Sequence, residues 1–139
     1  MRSGTLSKRL PKCITLELCS RLRIVRYDII YPEAGHFRIL DANQAHLIGL
    51  GKLEVSTGGT DEAGLGYMIL PEYWGQGVAS KVARLLIAQA KEQPELRSLL
   101  AIIDPANLPS RRILINTGFV SREFKEFDGL PGEVLELVW

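Results

Sequence analysis

Pro71 and Pro94 enclose the one stretch of this chain long enough for a substantial helix, and what surrounds that window fixes most of the architecture. Inside it, Val78, Ala79, Val82, Ala83, Leu85, Leu86 and Ala90 recur at steps of three and four. They form one apolar stripe on a helix from about Gln76 to Gln93. Ser80, Lys81, Arg84, Lys91 and Glu92 fall largely on the other side. Before the window, residues 63–70 (AGLGYMIL) read as a strand that Pro71 ends, because proline has no N–H for a ladder. After it, residues 98–103 (SLLAII) are a short continuous apolar run, typical of a buried parallel strand. Strand, helix and strand in this order make one right-handed crossover.

The flanks read differently. Residues 14–27 (ITLELCSRLRIVRY) suggest one long or two short strands. GHFRIL at 35–40 and AHLIGLGKLEVS at 45–56, joined by the turn residues DANQ, predict a hairpin. STGGTDE at 56–62 is a loop, and DIIYPEAG at 28–35 has no helical period. DPANLPS at 104–110 leads into a second helix ending near Thr117. Asn107 is its cap, Pro109 lies in its first turn and Gly118 takes the left-handed position beyond it. FVSREFKEF, DGLPG and EVLELVW then read as a closing antiparallel hairpin. The expected fold class is α/β (α+β): a mixed, mostly antiparallel sheet with one β-α-β crossover, a second helix and a C-terminal β-hairpin. With no repeat or linker, residues 1–139 read as one domain, with 1–12 a mobile lead-in.

The formal net charge is +1 and charged residues make up 24% of the chain, so no broad field points to nucleic acid or membrane as a partner. No apolar run reaches the length of a transmembrane helix. The basic N-terminus is a poor signal peptide, since Glu17, Arg21 and Arg23 break the stretch after it. Cys13 and Cys19 have no histidine at ligand spacing and form no disulfide framework; they read as small apolar residues of a cytoplasmic protein with no metal site. His36 and His46 read as structural or surface residues.

The chemistry concentrates in residues 66–86, GYMILPEYWGQGVASKVARLL. A strand runs into a glycine-containing turn that becomes the first turn of a helix. The first N–H groups of a helix have no internal partner, and the macrodipole is positive there. This is a site for a phosphate-like anion. Gly75 and Gly77 let the backbone approach the anion with no Cβ in the way, and Ala79 and Ser80 keep the first turn small. Gly75 and Gly77 also match the opening of a GxGxxG dinucleotide fingerprint, but the third position is Ser80 and only one crossover is evident.

The same segment resembles the cofactor motif of the GNAT N-acetyltransferase superfamily. That pattern is Arg or Gln, two variable residues, Gly, one variable residue, then Gly or Ala. It lands on Trp74-Gly75-Gln76-Gly77-Val78-Ala79, with Trp74 a departure at the first position. A Trp-Gly-Gln-Gly version is similar to the subgroup containing the ribosomal-protein N-terminal acetyltransferases. DPANLPSRRILINTGF at 104–119 is similar to that subgroup's downstream Asn-x-x-Ser, helix, Gly-Phe segment.

The resemblance implies acetyl-coenzyme A as co-substrate and direct attack of an amine on its thioester. It implies that the two parallel strands splay at their C-terminal ends around the pantetheine arm. Backbone groups of Met68, Ile69 and Leu70 would line that gap, and the N–H groups of Gln76, Gly77, Val78, Ala79 and Ser80 would hold the pyrophosphate. Asn107 would bond the pantetheine, and Ser110 would lie near the thioester. Many family members carry a tyrosine acid in the second helix; the matching position here is Leu114, which leaves Ser110 or a water. Glu62 is the expected base through water, with Glu72 next. The readings that follow are an N-acetyltransferase for a small-molecule or protein amine, a non-catalytic acyl-coenzyme A-binding module, and a dinucleotide-binding domain. A homodimer through the last hairpin stays open.

Overall fold

The computed structural model describes residues 22–26, 34–41, 46–55 and 61–139. The expectations for the lead-in 1–12, for both cysteines, for the start of the first strand, and for the 28–33 and 42–45 connections lie outside these residues. Among the described residues, seven strands form one sheet: β1 (Leu22–Arg26), β2 (Ala34–Asp41), β3 (Leu47–Val55), β4 (Glu62–Ile69), β5 (Ser98–Ile103), β6 (Val120–Phe127) and β7 (Leu130–Val138). Two helices, α1 (Val78–Lys91) and α2 (Leu108–Asn116), follow β4 and β5. The order across the sheet is β1-β2-β3-β4-β5-β7-β6. Only β4 and β5 run parallel, joined through α1 as the crossover; every other neighbouring pair is antiparallel.

Both helices cover the same face. Odd-numbered residues of β3, β4 and β5 point toward them, and Phe37, Ile39, Leu53, Ala63, Leu65, Leu99, Ala101, Leu135 and Leu137 are all buried there. From α1, Val82, Leu85 and Leu86 meet this surface, and Leu114 and Phe119 close it at α2. The approach is close: a Cβ built on Gly51 would lie 3.0 Å from Leu86 Cδ1. Each fully buried aliphatic side chain of this kind contributes roughly 1.5–3 kcal/mol.

Among the differences from expectation, three have clear local reasons. The first helix starts at Val78 rather than Gln76, because Gly75 and Gly77 have φ of 76° and 77°, outside helical space. Residues Pro71–Tyr73 instead form a 3₁₀ turn, with Tyr73 N–H bonded to the Leu70 carbonyl and Trp74 N–H to that of Pro71. The last strand starts at Leu130 rather than Glu133. Asp128 (φ 52°) and Gly129 (φ 81°) make a two-residue turn, which lets the strands pair from Phe127 and Leu130 onward.

Candidate active site

The sheet opens in its middle. β4 and β5 pair at Glu62–Ser98, Ala63–Leu99 and Gly64–Leu100, and there the pairing stops. β4 runs on to Ile69 and β5 to Ile103, each still held by its outer neighbour: Ile69 opposite Gly49 of β3, and Ile103 opposite Glu133 of β7. A gap therefore lies between Leu65–Ile69 on one side and Ala101–Ile103 on the other.

Hydrogen-bond alternation decides which backbone groups face that gap. Leu70 N–H donates to the Ile48 carbonyl at 2.9 Å, so even-numbered residues of β4 turn their main-chain groups toward β3. At the other end of β4, the Asp61 carbonyl accepts from Arg97 N–H at 2.7 Å, so odd-numbered residues turn toward β5. Tyr67 and Ile69 thus present N–H and C=O to the gap. Of the expected trio, Met68 and Leu70 are turned away, and Leu70 N–H is already bonded; only Ile69 faces inward. Its carbonyl accepts the Trp74 indole N–H at 2.7 Å. This gives Trp74 a local reason for standing at the head of the glycine turn: it ties the turn back to the end of β4.

Beyond the mouth of the gap lies the start of α1. Lys81 N–H is the first to find a helical acceptor, the Gly77 carbonyl at 3.2 Å. The N–H groups of Val78, Ala79 and Ser80 come before it. Gly77 has no side chain to cap them, and no acidic residue occupies the first turn. A Cβ at Gly75 or Gly77 would meet nothing within 4 Å, so the space beside these glycines is open. Glycine is required here by the positive φ, not by crowding within the protein. Such a cradle suits a pyrophosphate, with Lys81 on the same turn adding charge.

α2 closes the gap from the β5 side. Asn107 is its N-cap, its side-chain oxygen accepting Ser110 N–H at 3.3 Å. Ser110 Oγ lies 3.2 Å from the Tyr67 hydroxyl, joining the first turn of α2 to β4 across the opening. Burial raises the pKa of the Tyr67 phenol, and the Ser110 hydrogen bond opposes that only in part. The proton therefore stays on Tyr67 through neutral pH. Arg111 anchors the same turn to β7: its Nε donates to both carboxylate oxygens of the buried Glu133, at 2.9 and 3.2 Å.

The structure brings Ser110, Asn107, Ile69 and the 75–80 amides around one opening. It does not bring Glu62 there. Glu62 begins β4 at its paired end, five residues before Tyr67, which at about 3.4 Å per residue is roughly 17 Å from it. Among the described residues, Glu72 and Asp104 are exposed carboxylates at the open end, and one oxygen of Asp104 accepts Ala106 N–H at 2.9 Å. Leu114, the residue expected at the family's tyrosine position, is fully buried. Tyr67 was missed by sequence reasoning; the only available signal was its place in the strand, and its parity toward β5 required the register. Among the described residues, no cluster of His, Cys, Asp and Glu could hold a metal ion, and no helix is long and apolar enough to cross a membrane.

Known proteins resemble this chain. Residues 13–120 match the family model for the acetyltransferase (GNAT) domain. A probable N-acetyltransferase of Bacillus subtilis, YjcK, is 31% identical over 102 residues, which is 71% of this chain and 56% of that protein. An FsC-acetyl coenzyme A-N(2)-transacetylase of Aspergillus fumigatus is 29% identical over 79 residues, 55% of this chain and 34% of that protein. The chain thus spans about half of the first relative's length and a third of the second's. Among solved structures, a ribosomal-protein-S5-alanine acetyltransferase of Vibrio fischeri superposes with TM-score 0.70 at 19% identity, over 76% of this chain and 62% of the other. A spermidine N-acetyltransferase SpeG variant of Vibrio cholerae gives TM-score 0.69 at 20% identity, over 76% and 64%. At these identities the likeness concerns the fold. The splayed parallel pair, the uncapped helix start and the family match together displace the dinucleotide reading: this chain belongs to the GNAT acetyltransferase family, whose co-substrate is acetyl-coenzyme A.

Proposed function

We propose that this chain is a cytoplasmic N-acetyltransferase, formed as a single domain, that moves an acetyl group from acetyl-coenzyme A to a primary amine by direct attack. The observation that carries the reading is the end of β4–β5 pairing at Gly64–Leu100, in front of a helix start with three uncapped N–H groups. The thioester supplies an activated acyl group; the rest is work for the protein. The amides of Val78, Ala79 and Ser80, with the open loop at Gly75, Gln76 and Gly77, hold the diphosphate. Gap-facing main-chain groups of Tyr67 and Ile69 and the amide of Asn107 orient the pantetheine arm. A backbone N–H of β4 facing the gap is placed to stabilise an oxyanion. Tyr67, hydrogen-bonded to Ser110, holds a proton at its hydroxyl beside the opening, where a departing thiolate needs one. Glu72 replaces Glu62 as the preferred base acting through water, because it lies at the open end.

The helices close one face of the sheet, so the amine enters from the other. There Met68 and Ile102 flank the gap on β4 and β5, each more than half exposed. Their apolar surface suits the carbon chain beside a small-molecule or protein amine. The subgroup that acetylates ribosomal-protein N-termini is one source of such an amine, and the likeness of the 104–119 segment supports it.

Binding and turnover test this separately. Acetyl-coenzyme A affinity is measured by calorimetry, and thiol release is followed on a panel containing polyamines and peptides with free N-termini. Gly77→Glu, which places a carboxylate among the amides, is expected to weaken acetyl-coenzyme A by about tenfold or more, the equivalent of ~1.4 kcal/mol. Gly77→Ala controls for the positive φ, whose cost is about 1–2 kcal/mol of stability. Unchanged affinity in the glutamate variant rejects the cradle. The second reading, an acyl-coenzyme A-binding module, is favoured by the buried Leu114 and the carboxylate-free open half of β4. Tight binding without thiol release on any amine would select it.

A further inference from the structure

We infer that the outer edge of β6 is a self-pairing interface, through which two copies of this chain join their sheets antiparallel about a two-fold axis at Phe124. Among the described residues, β6 is the last strand of the sheet and is paired on one side only. The Asp128–Gly129 turn makes Phe127–Leu130 a hydrogen-bonded pair, and alternation makes Lys125–Gly132 the next. Glu126 and Phe124 then turn their N–H and C=O groups away from β7. Their opposite numbers agree, since Pro131, facing Glu126, has no N–H to offer. Among the described residues the edge thus presents outward-turned main-chain groups centred on Phe124, a residue that is 63% exposed.

Edge strands are usually protected from pairing by charge. This one carries charges that are antisymmetric. Arg122, Glu123, Phe124, Lys125 and Glu126 read outward from Phe124 with opposite signs at each step. With Phe124 opposite its copy, Glu123 meets Lys125, twice by symmetry; Arg122, the extra residue of a bulge against β7, lies at the end of this regular stretch on the side where the copy's Glu126 arrives. Only residues of like parity can exchange hydrogen bonds, so the alternative two-fold registers centre on Arg122, Glu123, Lys125 or Glu126. Each of these sets a charge against itself, which is unfavourable for directly opposed residues. Of the five registers centred on residues 122–126, the Phe124 register is the one that avoids this. Within one chain, Lys125 already lies 3.7 Å from Glu123 and Arg122 lies 3.2 Å from Glu136. These are exposed pairs that contribute little, and a guanidinium can serve Glu136 and Glu126 together. A second copy is therefore the partner this edge fits, and its pairing is independent of the proposed activity.

Sedimentation velocity over a concentration series tests the interface. The wild type is expected to shift from one to two chain masses with rising concentration, and back again at high salt. Glu123→Lys sets Lys against Lys125 of the copy, and Lys125→Glu sets Glu against Glu123. Each alone is expected to stay monomeric with an unchanged circular dichroism spectrum. Mixed one to one, the two variants restore both charge pairs and are expected to form a heterodimer. The double swap E123K/K125E is expected to dimerise like the wild type. A wild type that stays monomeric at every concentration overturns the proposal, and so does a dimer indifferent to the single reversals.

Discussion

Arg111→Ala is expected to lower stability by about 3 kcal/mol at neutral pH, the lower end for breaking a buried ion pair. Arg111 is partly exposed but Glu133 is fully buried, on the helix-facing side of β7. Removing the guanidinium leaves an uncompensated carboxylate in the core. For a chain of 139 residues this corresponds to a fall in Tm of roughly 10 °C. The pH dependence gives the loss its signature. Burial pushes the Glu133 carboxyl up, but hydrogen bonds from Arg111 and Ser121 and the Arg111 charge outweigh it, and the net shift is downward. A carboxylate depressed in the folded state adds stability above its unfolded pKa of about 4.3, and that stability is lost as pH falls through the folded value. In the variant, Glu133 keeps its burial and the Ser121 hydrogen bond but loses its counter-charge, so protonation relieves it. The gap in Tm between wild type and variant is therefore expected to be widest near neutrality and to narrow toward pH 4. A gap that stays constant with pH, in scanning calorimetry, would show that the pair is not what Arg111 contributes. Because Ser110 is the preceding residue, the same ion pair also fixes the first turn of α2 beside the gap.

Tyr67→Phe is expected to reduce kcat by about a hundredfold, the lower range for removing a positioned acid. Stability should move by only about 1 kcal/mol, the worth of one hydrogen bond, because the ring and its packing remain. Acetyl-coenzyme A affinity should stay within twofold of wild type, since the gap-facing main chain of residue 67 is intact. The raised phenol pKa supplies a second readout. Tyr67 keeps its proton below its ordinary value near 10, so the loss of activity from phenol ionisation is expected only at higher pH, and the variant should lack that limb. Ser110→Ala leaves the proton on Tyr67 but frees the ring, and should lower kcat less. Equal kcat for Tyr67→Phe and wild type, with thiol release followed across pH, would assign the Tyr67–Ser110 bond to structure alone.

The two results bear on different links of one chain of causes. The Arg111–Glu133 pair holds α2 against the sheet, and α2 holds Ser110 at 3.2 Å from Tyr67. Tyr67 in turn comes from a strand whose odd residues face the gap because β3 claims the even ones. Catalysis, if measured, should therefore fall in Arg111→Ala even at temperatures where the variant is folded.

Strong local signals were enough to specify several of the elements. Pro71 and Pro94 bounded α1, the three- and four-residue apolar steps set its buried stripe, and Gly75 and Gly77 marked the turn that their positive φ then required. Asn107 and Gly118 likewise marked the two ends of α2. The order of elements and the single crossover followed from these. Only the tertiary structure decided what depends on pairing between distant strands. The point where β4 and β5 part, the parity that selects Tyr67 and Ile69 over Met68 and Leu70, and the remoteness of Glu62 are all matters of register. A slip of one residue exchanges every group on a strand between its two neighbours and its two faces, and no local preference encodes that choice. The partner of Glu133 is the same kind of fact: an isolated carboxylate in an apolar strand gives no sign of which cation will meet it. That cation came from α2, because a helix packed over β7 placed Arg111 within 2.9 Å of it.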